Sequence, residues 1–215
     1  MNTVIVIGNG FDIDLGWKTS YKDFFKSKLK EWNCFKTSED NLMNYILNKA
    51  SENWFDLERT IYDYCIMKSK VDLVPNVVQE DINCYYDIKK ELCRYISDCS
   101  KEPVRKESYA YHLLKDYIKE INRKELPEDM TPILFSFNYT PLSKVAKEIE
   151  PNKSFQYFPI HGTIENNSCI FGFLDDSNIK GDYRDMQKAM DDNYIPPSSL
   201  NPSLFKMNIR NHPNQ

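Results

Sequence analysis

The sequence predicts an α/β protein with a Rossmann-like, mostly parallel sheet and a large all-helical insertion after the first strand–helix unit. An apolar, β-branched run at residues 4–7 leads through a glycine-rich segment into a helical pattern, an arrangement by which α/β proteins bring backbone N–H groups up to a phosphate. Residues 38–122 show almost wholly helical periodicity. Short apolar runs typical of buried parallel strands return only after residue 131.

The first strand–helix unit is predicted to contain a phosphate-contacting loop. Three of the six glycines in the chain fall within residues 8–16, and glycine alone enters positive φ without steric cost. We therefore predict that this loop approaches a pyrophosphate and that six of its residues contact the nucleotide: Gly8, Asn9, Gly10, Phe11, Asp12 and Gly16. A carboxylate repels a pyrophosphate, so two roles stay open for Asp12: it accepts backbone N–H bonds, or it binds the ribose hydroxyls.

Capping and turn residues place the other elements. Thr19 or Ser20 is predicted to cap a helix that runs to about residue 32. Thr140 is predicted to cap a helix that ends near residue 149, with Pro141 in its first turn. Pro75 and Pro103 divide the insertion into at least three helices. Three further strands are predicted, at residues 132–137, 155–160 and 169–173.

These elements are predicted to form one domain, residues 1–175, with the helical insertion at about 38–122. Residues 176–215 contain several prolines and few periodic apolar positions, so we expect an irregular C-terminal tail on the surface. Such a tail leaves one side of the predicted pocket open to water. We therefore expect a homo-oligomer or a partner protein to cover that side.

Composition argues against several classes of protein. A net charge of −4 and an isoelectric point near 5.5 argue against nucleic acid as a partner. The six cysteines form no Cys-x-x-Cys pair and show no metal-ligand spacing with histidine. This argues against a metal site and is typical of reduced thiols in the cytosol. No signal peptide precedes the first strand and no apolar run approaches membrane-spanning length, so we expect a cytoplasmic protein that does not enter a membrane.

Polar residues follow the predicted strands at the points where the strands end. The first strand leads into Gly8, a second into Asn138, and a third into His161 and Gly162. In an open parallel sheet, ligands bind beyond the carboxyl ends of the strands. If these strands are neighbours, the three groups face one crevice, and Gly162 is predicted to contact the ligand there. An asparagine after a strand is also a common turn former, and a single histidine is often structural.

The glycine spacing argues against a dehydrogenase, because position 13 is isoleucine where that fingerprint has its third glycine. Sirtuin-type NAD-binding proteins have the Gly-x-Gly-x5-Gly spacing, and residues 137–139 and 160–163 look like their asparagine turn and His-Gly strand end. A bacterial family, the AbiH phage abortive-infection proteins, is a closer match. The chain resembles it over about residues 3–175, in segments that keep the family's order: residues 6–16, 19–24, 54–58, 136–140, 160–162 and 170–172.

The resemblance implies a phage-defence protein with a sirtuin-like fold, since AbiH proteins are distantly similar to sirtuin-like domains. Some of those domains destroy NAD in phage defence, which implies an NAD glycohydrolase with NAD as its substrate and no tightly bound cofactor. Nicotinamide leaves as a neutral molecule, so no general acid is required. Asn138 is then the group that orients water and His161 the base. The family match also implies that Glu58 reaches the cleft from the insertion.

The sequence departs from these families in two ways. Sirtuin deacylases contain a four-cysteine zinc module, and its absence argues against a protein deacylase. AbiH chains usually continue to a Gly-His-Ser-Leu segment followed by aspartate, which this sequence lacks, so we expect a truncated or divergent member. The alternative function is a catalytically inactive module that senses a nucleotide or binds a partner.

Overall fold

The computed structural model describes residues 4–32, 41–50, 56–70, 75–123, 133–151, 157–166 and 169–171, together with positions 179 and 183. The strands of this part of the chain are β1 (Val4–Ile7), β2 (Ile133–Ser136) and β3 (Phe158–Pro159). Its helices are α1 (Asn9–Asp14), α2 (Tyr21–Trp32), α3 (Leu42–Lys49), α4 (Leu57–Lys68), α5 (Pro75–Cys99), α6 (Tyr109–Arg123) and α7 (Leu142–Ile149). A 3-10 turn, Ile164–Asn166, follows β3.

The three described strands form one parallel sheet in the order β1-β2-β3. Val4 pairs with Ile133 and Ile7 with Ser136, while β3 pairs with the end of β2 through Phe135 and Phe158. The carboxyl ends of all three strands therefore lie at the same edge. The described chain is mostly helical with a small parallel sheet, which agrees with the α/β class predicted from the sequence.

All the elements that the structure describes between β1 and β2 are helices, joined by turns. Four helices, α3 to α6, lie between residues 42 and 123, which agrees with the prediction of at least three. Pro75 is the first residue of α5, and Pro103 lies between α5 and α6, as expected for residues that cannot continue a helix. Among the described helices, none combines the length and the apolar character needed to cross a membrane.

Two apolar clusters pack these elements. The helical core comes mainly from α2 to α5, and its fully buried members include Phe24, Phe25, Ile61, Tyr64 and Tyr85. The sheet core joins β1 and β2 to α6 and α7, with Ile7, Leu15, Leu114, Leu134 and Leu142 among its buried residues. Tyr139, just after β2, belongs to the helical core. The two clusters therefore meet at the carboxyl edge of the sheet.

Of three local predictions at this edge, two are wrong and the third, the cap of α2, is confirmed. Residues 9–14 form α1 rather than a loop, so the chain turns into a helix directly after Gly8. Thr140 does not cap α7; Pro141 occupies the N-cap position without a side-chain hydrogen bond. Of the two proposed caps of α2, Ser20 is the one used, since its hydroxyl accepts a hydrogen bond of 3.1 Å from the backbone N–H of Asp23.

The segments predicted after β3 also differ from expectation. The predicted strand at residues 169–173 is wrong for Cys169–Phe171, which pairs with none of the described strands; the rest of it lies outside the described residues. Burial of Cys169 and Phe171 in the helical core explains the apolar pattern of this segment. Ile179 and Tyr183 are buried in the same core rather than on the surface, and the other residues of 176–215 lie outside the described part of the chain.

Gly16 ends the turn after α1 with a positive φ of +98°. Gly16→Ala is expected to lower the free energy of unfolding by about 1–2 kcal/mol, because an L side chain is strained in that conformation. Gly8→Ala is the matched control, since Gly8 is extended with φ −132° and a Cβ there would meet nothing within 4 Å. Urea denaturation measures both variants. Equal stability of Gly16→Ala and the wild type would contradict this account.

Candidate functional site

A cavity of about 170 Å³ lies at the carboxyl edge of the sheet, where the two cores meet. Its lining comes from α1, the start of α2 and the residues before it, the β2–α7 connection, the turn after β3, and helices α4 and α5 of the insertion. The lining residues are Asn9, Asp12, Thr19, Tyr21, Glu58, Ile96, Phe137, Asn138, Tyr139 and His161. The structure thus brings together five of the residues that the sequence singled out: Asn9, Asp12, Glu58, Asn138 and His161.

Asp12 is the most deeply buried charged group of the cavity, with only 1% of its surface exposed. Its Oδ1 accepts a hydrogen bond of 2.9 Å from Asn138 Nδ2, and its Oδ2 accepts one of 2.7 Å from the Thr140 hydroxyl. The Thr19 hydroxyl lies 3.4 Å from Oδ2 but only 2.7 Å from Asn9 Oδ1, so its single proton goes mainly to Asn9. The described hydrogen bonds of this carboxylate come from side chains, not from the backbone N–H groups proposed above.

Burial raises the pKa of Asp12 from 3.8 to about 6, and the hydrogen bonds from Thr140, Asn138 and Thr19 oppose that shift. Desolvation penalises the charged form of a carboxyl, whereas donors to the carboxylate favour it. Asp12 is therefore ionised at neutral pH and takes up a proton in mildly acidic solution. The hydrogen bonds that its carboxylate accepts from Asn138 and Thr140 join α1 to the β2–α7 connection.

Asn138 connects the ends of β1 and β2. Its Nδ2 donates to the carbonyl oxygen of Gly8 at 3.0 Å and to Asp12 Oδ1 at 2.9 Å, which uses both protons of the amide. The amide oxygen is then the atom of this side chain that can contact a ligand. A role as a local turn former does not explain these two hydrogen bonds, because both go to the segment after β1, which is far from Asn138 in sequence.

His161 follows β3 and is half-buried against aromatic rings. Its imidazole stands edge-on to Phe137, with 5.3 Å between ring centroids and 86° between planes, and lies 6.0 Å from the Tyr139 ring. Burial lowers the pKa of His161 below its usual value, so the ring is neutral at pH 7 and can accept a proton. Gly162 has a φ of +70°, which allows the chain to turn directly after the histidine.

Glu58 reaches the cavity from the first turn of α4, which Asp56 caps by accepting a 3.0 Å hydrogen bond from Arg59 N–H. Glu58 Oε1 accepts a hydrogen bond of 3.1 Å from the Tyr21 hydroxyl and lies 3.4 Å from the Tyr139 hydroxyl. Burial, followed by the negative charge of Glu58, raises the pKa of Tyr21 well above its ordinary value. Tyr21 is therefore a neutral donor that positions the carboxylate.

The remaining predicted contact residues have different surroundings. A Cβ at Gly8 or Gly10 would meet nothing within 4 Å, so open space borders both glycines. Among the described glycines, only Gly16 and Gly162 have positive φ, so the conformational argument for Gly8 and Gly10 is wrong. Phe11 packs against the sheet core rather than lining the cavity. No group of three or more described His, Cys, Asp or Glu side chains is arranged to bind a metal ion.

Sequence reasoning missed several residues of the site. Thr19 and Thr140 were assigned to helix caps, but their hydroxyls bond to Asn9 and Asp12. Tyr21 and Tyr139 lie within the segments 19–24 and 136–140 that resemble the AbiH family, but no sequence signal gives either tyrosine a role. Ile96 faces the cavity from the last turn of α5, and no local signal distinguishes it from the other core residues of that helix.

Comparison with known proteins identifies the family of this chain. No curated protein and no solved structure matches it significantly. The family described as "Bacteriophage abortive infection AbiH" matches residues 4–203, which is most of the sequence and includes every residue of the cavity. The chain belongs to the AbiH family of bacteriophage abortive infection proteins.

Proposed function

We propose that this abortive infection protein binds NAD at the carboxyl edge of a sirtuin-like Rossmann sheet and hydrolyses its nicotinamide–ribose bond. The observation that supports this most strongly is the presence of Asn138, His161 and two carboxylates in one cavity at that edge. Ligands of open parallel sheets bind at this position. Family membership supports a role in phage abortive infection, and NAD destruction is a reaction suited to that role.

The size of the cavity favours a ring-sized group. A volume of about 170 Å³ is similar to the roughly 150 Å³ that accommodates a benzene ring in a protein interior. It is smaller than the roughly 300 Å³ or more of pockets that enclose a whole drug-sized ligand. We propose that nicotinamide and the adjoining ribose carbon occupy it. The pyrophosphate would then pass Gly8 and Gly10, where open space borders the backbone.

The proposed reaction needs one water molecule and one base. As the bond between ribose and nicotinamide breaks, nicotinamide leaves with the bonding electrons as a neutral molecule, and positive charge develops on the ribose. Water adds to the ribose carbon, and His161, neutral because burial lowers its pKa, accepts the proton. The Asn138 amide oxygen orients that water or a ribose hydroxyl. The negative charges of Asp12 and Glu58 stabilise the developing positive charge.

The alternative proposal is a module that senses a nucleotide or binds a partner without turnover. One observation favours it: both amide protons of Asn138 and the carboxylate of Asp12 already take part in internal hydrogen bonds. Such bonds rigidify a binding site without contributing to chemistry. The two proposals differ in one product, free nicotinamide, which only the enzyme releases.

The state of the cysteines bears on the compartment in which the protein acts. Five of the six cysteines are described, and all five are free thiols: Cys65, Cys84, Cys93, Cys99 and Cys169. Free thiols are typical of reducing compartments, so we propose that the protein acts in the cytoplasm.

We also propose that a second copy of the chain or a partner protein covers the outer part of the cavity and tightens nucleotide binding.

Gly10→Val tests the proposed path of the pyrophosphate. The variant should weaken NAD binding at least tenfold, about 1.4 kcal/mol, because its side chain fills the space that the phosphates would enter. The fold should persist, since a Cβ at Gly10 meets nothing within 4 Å. Calorimetric titration with NAD gives the affinity and circular dichroism the fold. His112→Ala is the control, because His112 is exposed on α6 and does not line the cavity; its affinity should equal that of the wild type. Unchanged affinity in Gly10→Val would refute this path.

A further inference from the structure

The described lining of the cavity carries negative charge and no positive charge at neutral pH. Asp12 lines it with 1% of its surface exposed, and it is ionised because its pKa is about 6. None of the ten described lining residues is a lysine or an arginine. His161, the histidine among them, is neutral because burial lowers its pKa. These residues therefore attract a positively charged group and repel a negative one.

Within the described part of the chain, neutral side chains surround the charge of Asp12. Asn138 and Thr140 donate hydrogen bonds of 2.9 and 2.7 Å to its oxygens, and the Thr19 hydroxyl is a third neutral neighbour. No described lysine or arginine forms an ion pair with Asp12. A carboxylate has about four lone-pair sites, so this one can also face a ligand. Its attraction for a cation is strong because charges interact more strongly in a buried environment than in water.

Phe137 presents an aromatic ring at the same cavity. It follows β2 directly and is 44% exposed, whereas the neighbouring lining residue Tyr139 is buried. His161 stands perpendicular to the Phe137 ring, with 5.3 Å between centroids, and so covers at most one of its two faces. A ligand that covers an exposed ring removes apolar surface from water. The face of the ring is negative, so it attracts a cation within about 6 Å of its centroid.

We propose that the cavity is a subsite for a ring-sized organic cation of the N-alkylpyridinium class, which the Phe137 ring and the Asp12 carboxylate recognise. A volume of about 170 Å³ fits one such ring. The subsite therefore selects oxidised NAD over its reduced form, whose nicotinamide ring is neutral, and over the analogue with a carboxylate in place of the amide. The identity of the cation as the pyridinium of NAD rests on the proposed function, whereas the selectivity of the cavity for a cation does not.

The same selectivity favours release of the product in the proposed reaction. In NAD the positive charge lies on the nicotinamide ring. When the bond from the ring nitrogen to the ribose carbon breaks, its electron pair goes to the nitrogen, and the positive charge passes to the ribose. The ring that stays in the cavity is then neutral nicotinamide, and it loses its electrostatic attraction to Asp12 and Phe137. Nicotinamide is therefore held less tightly than the pyridinium of the next NAD molecule.

Two variants assign the selectivity to its residues. Phe137→Leu keeps an apolar side chain but removes the ring face, and Asp12→Asn removes the charge but keeps the shape of the side chain. Each should reduce the preference for a cationic ring over neutral nicotinamide, and circular dichroism verifies that each variant folds. Tyr109→Leu is the matched control, because Tyr109 is 76% exposed on α6 and lies outside the described lining. A preference equal to that of the wild type in either cavity variant would contradict the role of that residue.

Titration of the full chain with small pyridine compounds tests the subsite without NAD and without turnover. The probes are nicotinamide methylated on its ring nitrogen, which is a cation, neutral nicotinamide, and nicotinate, which is an anion. Ligand-observed NMR spectroscopy at neutral pH measures their affinities. We expect the methylated cation to bind at least about fivefold more tightly than nicotinamide, and nicotinate to bind more weakly than both.

The outcomes separate this proposal from the proposed function. Equal affinities of the methylated cation and nicotinamide, or no binding of the methylated cation, would overturn the cation subsite even if the protein hydrolyses NAD. A preference for the methylated cation would support the subsite even if no nicotinamide is released from NAD. Tetramethylammonium, which has the charge without the ring, should bind more weakly than the methylated cation. Tighter binding of tetramethylammonium would overturn the assignment to a pyridinium.

Discussion

His161→Ala is expected to lower the rate of nicotinamide release from NAD by roughly 10²–10⁴, the usual contribution of a general base. Binding of NAD should change much less, because the imidazole accepts a proton in the reaction rather than anchoring the ligand. His112→Ala is the matched control: His112 is exposed on α6 and does not line the cavity. Its rate should equal that of the wild type.

Asn138→Ala should lower the rate over the same range, with an added effect on stability. The substitution removes the donor to Gly8 O and to Asp12 Oδ1, and a buried acceptor left without its donor costs about 1–3 kcal/mol. The rate is therefore measured at a temperature where circular dichroism shows the variant folded. If activity survives both His161→Ala and Asn138→Ala, another group must carry out the reaction, and Glu58 is the first to test.

The second large effect is a dependence of stability on pH that originates at Asp12. Its folded-state pKa of about 6 lies above the ordinary 3.8, so the folded protein binds this proton more tightly than the unfolded chain. The stability from this group is fully present below pH 3.8 and is lost as the pH rises through about 6. The shift corresponds to about 3 kcal/mol.

Asp12→Asn isolates this contribution, because the amide has the shape of the carboxyl and does not titrate. Other carboxyl groups change protonation in both proteins, so the quantity to compare is the difference in unfolding free energy. Relative to the wild type, Asp12→Asn should gain about 3 kcal/mol between pH 3.5 and pH 7. Urea denaturation across that range measures it. A difference that is constant with pH would show that Asp12 does not titrate with a raised pKa.

The position of the site was predictable from the sequence because the relevant rule is geometric. Parallel strands end at a common edge, so the residues after Ile7, Ser136 and Pro159 had to lie close together once the sheet formed. Asn138 and His161 were found on that basis. Glu58 was implied only by family resemblance, since nothing in the pattern of α4 shows which neighbour its first turn faces.

The errors arose where a local pattern was interpreted without its distant partners. Thr140 has the position of a helix cap, yet its hydroxyl bonds to Asp12, 128 residues away in sequence. The apolar residues Cys169 and Phe171 have the pattern of a short strand, but they pack against the helical core. A short apolar run does not distinguish these cases, and hydrogen bonds between distant segments leave no periodic signal.

The most direct test of the proposed function is to incubate the purified protein with NAD and measure free nicotinamide and ADP-ribose over time. The account predicts that both products appear in equal amounts with the wild type and with His112→Ala, and that His161→Ala forms them at least a hundredfold more slowly. Calorimetry on the same samples reports binding. NAD binding without any release of nicotinamide would contradict the hydrolysis proposed here and establish the nucleotide-sensing alternative.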